Sequence, residues 1–75
     1  MTKSRNQDHI ISFGINLRRL RKAKGLTMTE LANLCDIEYR QVSDIELGKI
    51  NTTLSTILLL ADVLEISPKD LFDSK

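Results

Sequence analysis

The segment Leu26–Lys49, LTMTELANLCDIEYRQVSDIELGK, carries two apolar stripes at helical spacing, and the four residues Cys35–Glu38 interrupt them. The first stripe is Leu31, Ala32 and Cys35; the second is Val42 and Ile45. Thr27 stands as the N-cap of the first helix, and Glu30, three residues on, completes a capping box. Asp36 falls in the turn, where aspartate tolerates left-handed backbone better than most residues. Ile37 plugs the corner, and the second helix runs from Glu38 or Tyr39 to Leu47, with Gly48 as its cap. A chain of 75 residues has little reason to break a helix this sharply and begin another at once, unless the second helix is presented to something.

The rest of the chain continues the helical pattern. Residues 1–7 are polar and are expected to form a disordered tail, with one folded domain over 8–73. From about Asp8, Ile10, Phe13, Leu17 and Leu20 recur at helical spacing. Gly25, after basic Lys22 and Lys24, ends this helix. Thr52 or Thr53 caps a fourth helix, LSTILLLADVL, on which Leu54, Ile57, Ala61 and Leu64 share one face with Leu60 beside them. Ser67, Pro68 and Asp70 mark the start of a fifth. No segment alternates with period two. The expectation is an all-α domain of five short helices.

A domain this small buries only about 60–65% of its unfolded surface, so every apolar face counts. Leu58, Leu59 and Leu60 cannot all face one small core. The single cysteine, Cys35, excludes an intrachain disulfide framework and reads as a small core residue. His9 stands alone in a polar stretch. No metal, cofactor or small-molecule ligand is expected, and no paired carboxylates, Ser/His or Cys/His constellation or phosphate-cradling glycine loop marks an enzyme. No run of the length of a membrane span or signal peptide is present, which suggests a cytoplasmic protein.

Net charge is only +1. Its distribution is uneven: up to Gly25 the chain carries Lys3, Arg5, Arg18, Arg19, Arg21, Lys22 and Lys24 against Asp8 alone. The remainder carries Arg40, Lys49, Lys69 and Lys75 against nine acids. Either the basic end is a solvated helix face, or a dipolar molecule turns that end toward an anion.

The outward positions of the third helix are Tyr39, Arg40, Gln41, Ser43 and Asp44. Arginine can donate two bonds to guanine, glutamine can pair with adenine, aspartate can accept from cytosine, and serine can hold a phosphate. The bland alternatives stay open. Arg40 can meet a phosphate, Asp44 can simply pair with Arg40, and Tyr39 can merely cover the helix end.

At this point the residues resemble a known family. LRRLRKAKGLT, ELA, VSDIELGK and LLLADVLEISPKDLF occur in the order and spacing of the Cro/phage-repressor class of helix-turn-helix domains, over Phe13–Phe72. The resemblance implies a lambda-repressor-like fold with the helix-turn-helix at helices two and three. It makes helix three a recognition helix for the DNA major groove. It also implies an ion pair between Arg21 and Glu46, and it makes the face of Leu54, Ile57, Ala61 and Leu64 the inward one. Departures are evident. Met28 stands where the family places a phosphate-binding glutamine, leaving that contact to Thr27, Thr29 or a backbone N–H. Asp36 replaces the turn glycine, Glu38 replaces the usual Ser or Thr cap, and Thr52 replaces a loop proline. Lys49 and Asn51, in the loop after helix three, complete the expected DNA-binding set.

The reading is therefore a sequence-specific regulator that binds double-stranded DNA at a pseudo-palindromic operator as a homodimer, similar to stand-alone repressors and to restriction-modification controllers. Two alternatives remain: the antitoxin of a toxin–antitoxin pair, and a protein-interaction module that has lost DNA binding. Leu59 and Val63, with Ile66 and Phe72, mark an expected dimer surface on the last two helices. Phe72 folding back over them, or an interface at Ile11 and Ile15, are the competing readings.

Overall fold

The computed structural model describes the backbone over residues 2–72 and side chains from Gln7 onward; Met1 and residues 73–75, including the expected domain end at Asp73, lie outside the described residues. The elements are α1 (Thr2–Ala23), α2 (Met28–Cys35), α3 (Tyr39–Glu46), α4 (Leu54–Leu64) and a closing 3-10 turn, Pro68–Phe72. Among the described residues there is no strand.

Two sequence expectations need correction. First, α1 begins at Thr2 rather than near Asp8, within the segment expected to be a disordered tail. The apolar stripe starts only at Ile10, but no Gly or Pro interrupts the polar residues before it, so the helix runs on past its packed face. Second, the expected fifth helix is a 3-10 turn. Its start is still organised as a cap: the Ser67 N–H donates to Asp70 Oδ2 at 3.1 Å, and the Asp70 N–H donates to the Ser67 carbonyl at 2.9 Å.

The break between α2 and α3 forms as its residues dictate. Glu30 N–H donates to Thr27 Oγ1 at 3.0 Å, and Thr27 N–H donates to Glu30 Oε1 at 2.8 Å. Asp36 closes α2 in the left-handed region, φ 56°. Its N–H, and that of Ile37, reach back to carbonyls of α2 and so satisfy the helix end. Glu65 ends α4 in the same way, φ 61°, although nothing in its residue type announces it. Thr53 caps α4; the Thr52 hydroxyl is buried and has no hydrogen-bond partner among the described residues.

The core is aliphatic. Leu17, Leu31, Val42, Leu60, Leu64 and Leu71 are fully buried, with Ile45, Ala32, Ala61 and Cys35 nearly so. Each such leucine stabilises the fold by about 1.5–3 kcal/mol. Burial pushes the Cys35 thiol up, which keeps it protonated and inert. Leu54, expected to face inward, is 69% exposed, because it opens α4 beyond the edge of the core. Of the leucine triplet only Leu60 is buried; Leu58 and Leu59 are both exposed.

Two residues of α1 set how the 3-10 turn and α3 pack against it. Asn16 is 2% exposed and its Nδ2 donates to the Asp70 and Leu71 carbonyls at 2.7 and 2.8 Å, holding the 3-10 turn. Its Oδ1 accepts from the Arg19 guanidinium. Gly14 lies where α1 crosses α3: a Cβ there would sit 2.2 Å from the Ile45 carbonyl oxygen and 2.8 Å from that of Glu46. Both neighbours are backbone, so a methyl group has to push the helices apart. The expected outcome for Gly14→Ala is a loss of about 1–3 kcal/mol or more, despite the better helix propensity of alanine. Thermal unfolding followed by circular dichroism measures it. An unchanged or raised melting temperature would show that α1 and α3 do not pack this closely.

Candidate nucleic-acid interface

The position of α3 is set from α1 by a buried ion pair. Arg21 Nε donates to Glu46 Oε2 at 2.6 Å and Nη2 donates to Oε1 at 3.0 Å, a two-pronged contact. The two side chains are 8% and 4% exposed. Arg21 Nη1 donates to the Leu26 carbonyl at 2.8 Å, so one guanidinium joins the end of α3 to the loop that leads into α2. The hydrogen bond to Glu46 holds the Arg21 pKa above its ordinary value; burial works against this and the Glu46 charge adds to it. A second, exposed pair, Lys24 Nζ to Glu65 Oε1 at 2.7 Å, ties the end of α1 to the end of α4. It holds the Glu65 carboxyl below the usual range.

With α3 so held, its outer surface is narrower than the sequence implies. Tyr39 and Arg40 are exposed; Gln41, Ser43 and Asp44 are half-buried. Tyr39, Arg40, Ser43, Asp44, Leu47 and Lys49 surround one shallow hollow. The structure therefore brings five of the expected residues together and adds Leu47, which is 59% exposed. Among the described residues Arg40 and Asp44 form no ion pair, so both remain open to an external partner. Glu38 makes no side-chain cap to α3.

The remaining expected contacts are dispersed. Thr27 spends its hydroxyl on the cap of α2, while Thr29 is exposed at the start of that helix. Met28 is half-buried against the core. Asn51 lines a different hollow, between α1 and α4, with Ile10, Phe13, Ile50 and Phe72. Phe72 packs against Phe13, with ring centroids 5.2 Å apart and the ring planes tilted by 46°. That hollow also touches Ile57. Leu59, two residues further along α4, points to the opposite side of the helix. The four residues expected to form one dimer surface thus divide between two sides of α4. Val63 and Ile66 are half-buried against the core. Ile11 and Ile15 are both exposed.

This arrangement is a short helix held outward, with polar side chains converging at its surface. A family model described as helix-turn-helix matches residues 17–71. The chain belongs to the helix-turn-helix family. It is similar to the control protein C.BamHI of Bacillus amyloliquefaciens, with 37% identity over 62 residues, 81% of this chain and 76% of that protein. The crystal structure of the restriction-modification controller protein C.AhdI from Aeromonas hydrophila superposes with a TM-score of 0.82 at 43% identity, covering 84% of this chain and 96% of that one. A hypothetical transcription factor, NHTF, from Neisseria superposes with a TM-score of 0.85 at 31% identity, covering 91% and 78%. No helix of the described residues is long and apolar enough to cross a membrane.

Sequence reasoning missed Gly14 and Asn16, which position this helix-turn-helix, and both had a signal. A glycine in mid-helix costs about 1 kcal/mol and points to a close approach. An asparagine beside Phe13, Leu17 and Leu20 on an apolar stripe points to a buried polar clamp. The helix-turn-helix geometry rests on the Arg21–Glu46 pair. Removing one partner strands the other charge, at about 3–5 kcal/mol. Glu46→Ala is expected to lower the melting temperature steeply in calorimetry, with little change for a substitution at exposed Glu30's neighbour Asn33. If Glu46→Ala melts with the parent protein, the pair does not carry α3.

Proposed function

We propose that the protein is a sequence-specific transcriptional regulator that binds duplex DNA as a homodimer through α3. The observation that carries this reading is the convergence of Tyr39, Arg40, Ser43, Asp44 and Lys49 on one exposed hollow, on a helix held outward by a buried ion pair. Arg40 reads a base edge, with guanine as its best match, and Lys49 grips the backbone just past the helix end. Ser43 and Asp44 complete the set, and Thr27, Met28 and Thr29 border the phosphates where α2 begins. Gln41 flanks it on α3, whereas Asn51 lies in the separate hollow between α1 and α4. The likeness to the restriction-modification controller C.AhdI, and to the control protein C.BamHI, supports autoregulation within a restriction-modification system. One recognition helix reads too few base pairs for a useful site, so two copies related by a two-fold axis would read half-sites about 34 Å apart.

Selection of bound duplexes from a random pool tests this directly. A two-fold symmetric site is expected, and repeating the selection with Arg40→Ala is expected to relax one base position per half-site, equivalent to about 1–3 kcal/mol. Lys49→Ala is expected to weaken all sequences evenly. No enrichment, or an unpaired half-site, would overturn the proposal.

The dimer is proposed to bury the side of α4 that carries Leu59 and Val63, next to Ile66; Phe72, packed against Phe13 on the other side, falls outside that face. Leu59 is 37% exposed and its neighbour Leu58 48%, and apolar surface of this kind on so small a protein is best explained by a partner. Leu59→Glu is expected to remain folded, sediment as a monomer and lose cooperative DNA binding. If it stays dimeric, the interface lies elsewhere. The exposed pair Ile11 and Ile15 is then the next surface to charge.

A further inference from the structure

We infer that Arg18 is an additional contact to the DNA backbone, a phosphodiester-binding residue on α1, a helix otherwise outside the helix-turn-helix pair. The inference rests on the DNA-binding reading of α3. Arg18 is exposed and lines a groove where α1 meets α2 and α3, together with Arg21, Met28, Ser43, Glu46 and Leu47. Ser43 and Leu47 belong to this groove and also to the hollow at the surface of α3. The two depressions are therefore contiguous, and a strand that passes over the end of α3 passes within reach of the Arg18 side chain.

The charge in that groove singles out Arg18. Arg21 is neutralised by Glu46 at 2.6 Å. Met28 offers no side-chain donor. Among the described residues Arg18 itself makes no hydrogen bond or ion pair, whereas Arg19 is turned onto Asn16 and Lys24 onto Glu65. A guanidinium with all its donors free, beside a neutralised pair, is the one net positive charge lining the groove. Planar forked donors suit phosphate oxygens. Holding a phosphate there also offsets the negative charge that Asp44 brings to the adjoining hollow.

The test is the salt dependence of DNA binding, measured by fluorescence anisotropy on a selected site and on an unrelated duplex. Each phosphate contact contributes about 0.9 to the slope of log affinity against log salt. Arg18→Ala is expected to reduce the slope by about 0.9 per protomer, or about 1.8 for a two-fold dimer, equally on both duplexes. Arg18→Lys is expected to restore it. Melting curves should overlay, since the exposed Arg18 makes no hydrogen bond or ion pair among the described residues. An Arg18→Ala slope equal to that of the parent overturns the assignment while leaving α3 as the DNA reader. A parent protein with no salt-dependent affinity for either duplex overturns both.

Discussion

Taking the Arg21 and Glu46 charges out of water is expensive, and only their two-pronged geometry and the bond to the Leu26 carbonyl offset it. Apolar residues of similar size would fill the same space without that penalty. What the ion pair adds is direction. Its planar fork accepts one relative placement of α1 and the end of α3, whereas aliphatic contacts tolerate sliding. The Leu26 bond then ties that placement to the start of α2. Both helices of the helix-turn-helix are thus referenced to a single guanidinium on α1. Gly14 acts at the same crossing, because its missing side chain lets the α1 backbone approach the carbonyls that flank Glu46.

The second demand on so small a chain is to close its ends without a large core. Asn16 holds the 3-10 turn by two backbone carbonyls, and the turn in turn buries Leu71 completely. Lys24 and Glu65 join the end of α1 to the end of α4. Because that exposed pair depresses the Glu65 pKa, its stabilisation is complete above the unfolded carboxylate range. It is lost as pH falls through the folded value. Screening by solvent keeps this contribution small. The clamp at Asn16 carries no charge on either partner and is indifferent to pH.

Local signals in the chain map closely onto local structure. Thr27 and Glu30 cap α2, Asp36 takes the left-handed turn, and α2 and α4 have the bounds that their caps imply. These features depend on neighbours within a few residues, and sequence carries that information. Three others were not legible. The start of α1 at Thr2 follows from the absence of a breaker rather than from any apolar pattern. The exposure of Leu54 depends on where the core ends, and the separation of Phe72 from Leu59 depends on how the last turn docks on α1. Residue types at the candidate interface were readable, but which of them share a hollow depends on three helices at once. Asn51 resembles Lys49 in sequence position, yet it faces another groove.

Counting charges in the sequence overstates what the basic half of the molecule offers to an anion. Arg21 is consumed by Glu46, Lys24 by Glu65, and Arg19 leans on Asn16. The attraction left over is weaker than the run of cations suggests, and Asp36, Glu38 and Asp44 reduce it further near α3. On the DNA-binding reading this has a physical consequence. Affinity that comes from counterion release is blind to sequence, and contacts to base edges are not. A protein that commits Arg21 and Lys24 within its own fold binds random DNA less tightly than its cation count suggests and draws a larger share of its binding from the bases it reads. Low net charge then serves discrimination: a short-lived hold on non-specific DNA leaves more of the protein free for its site.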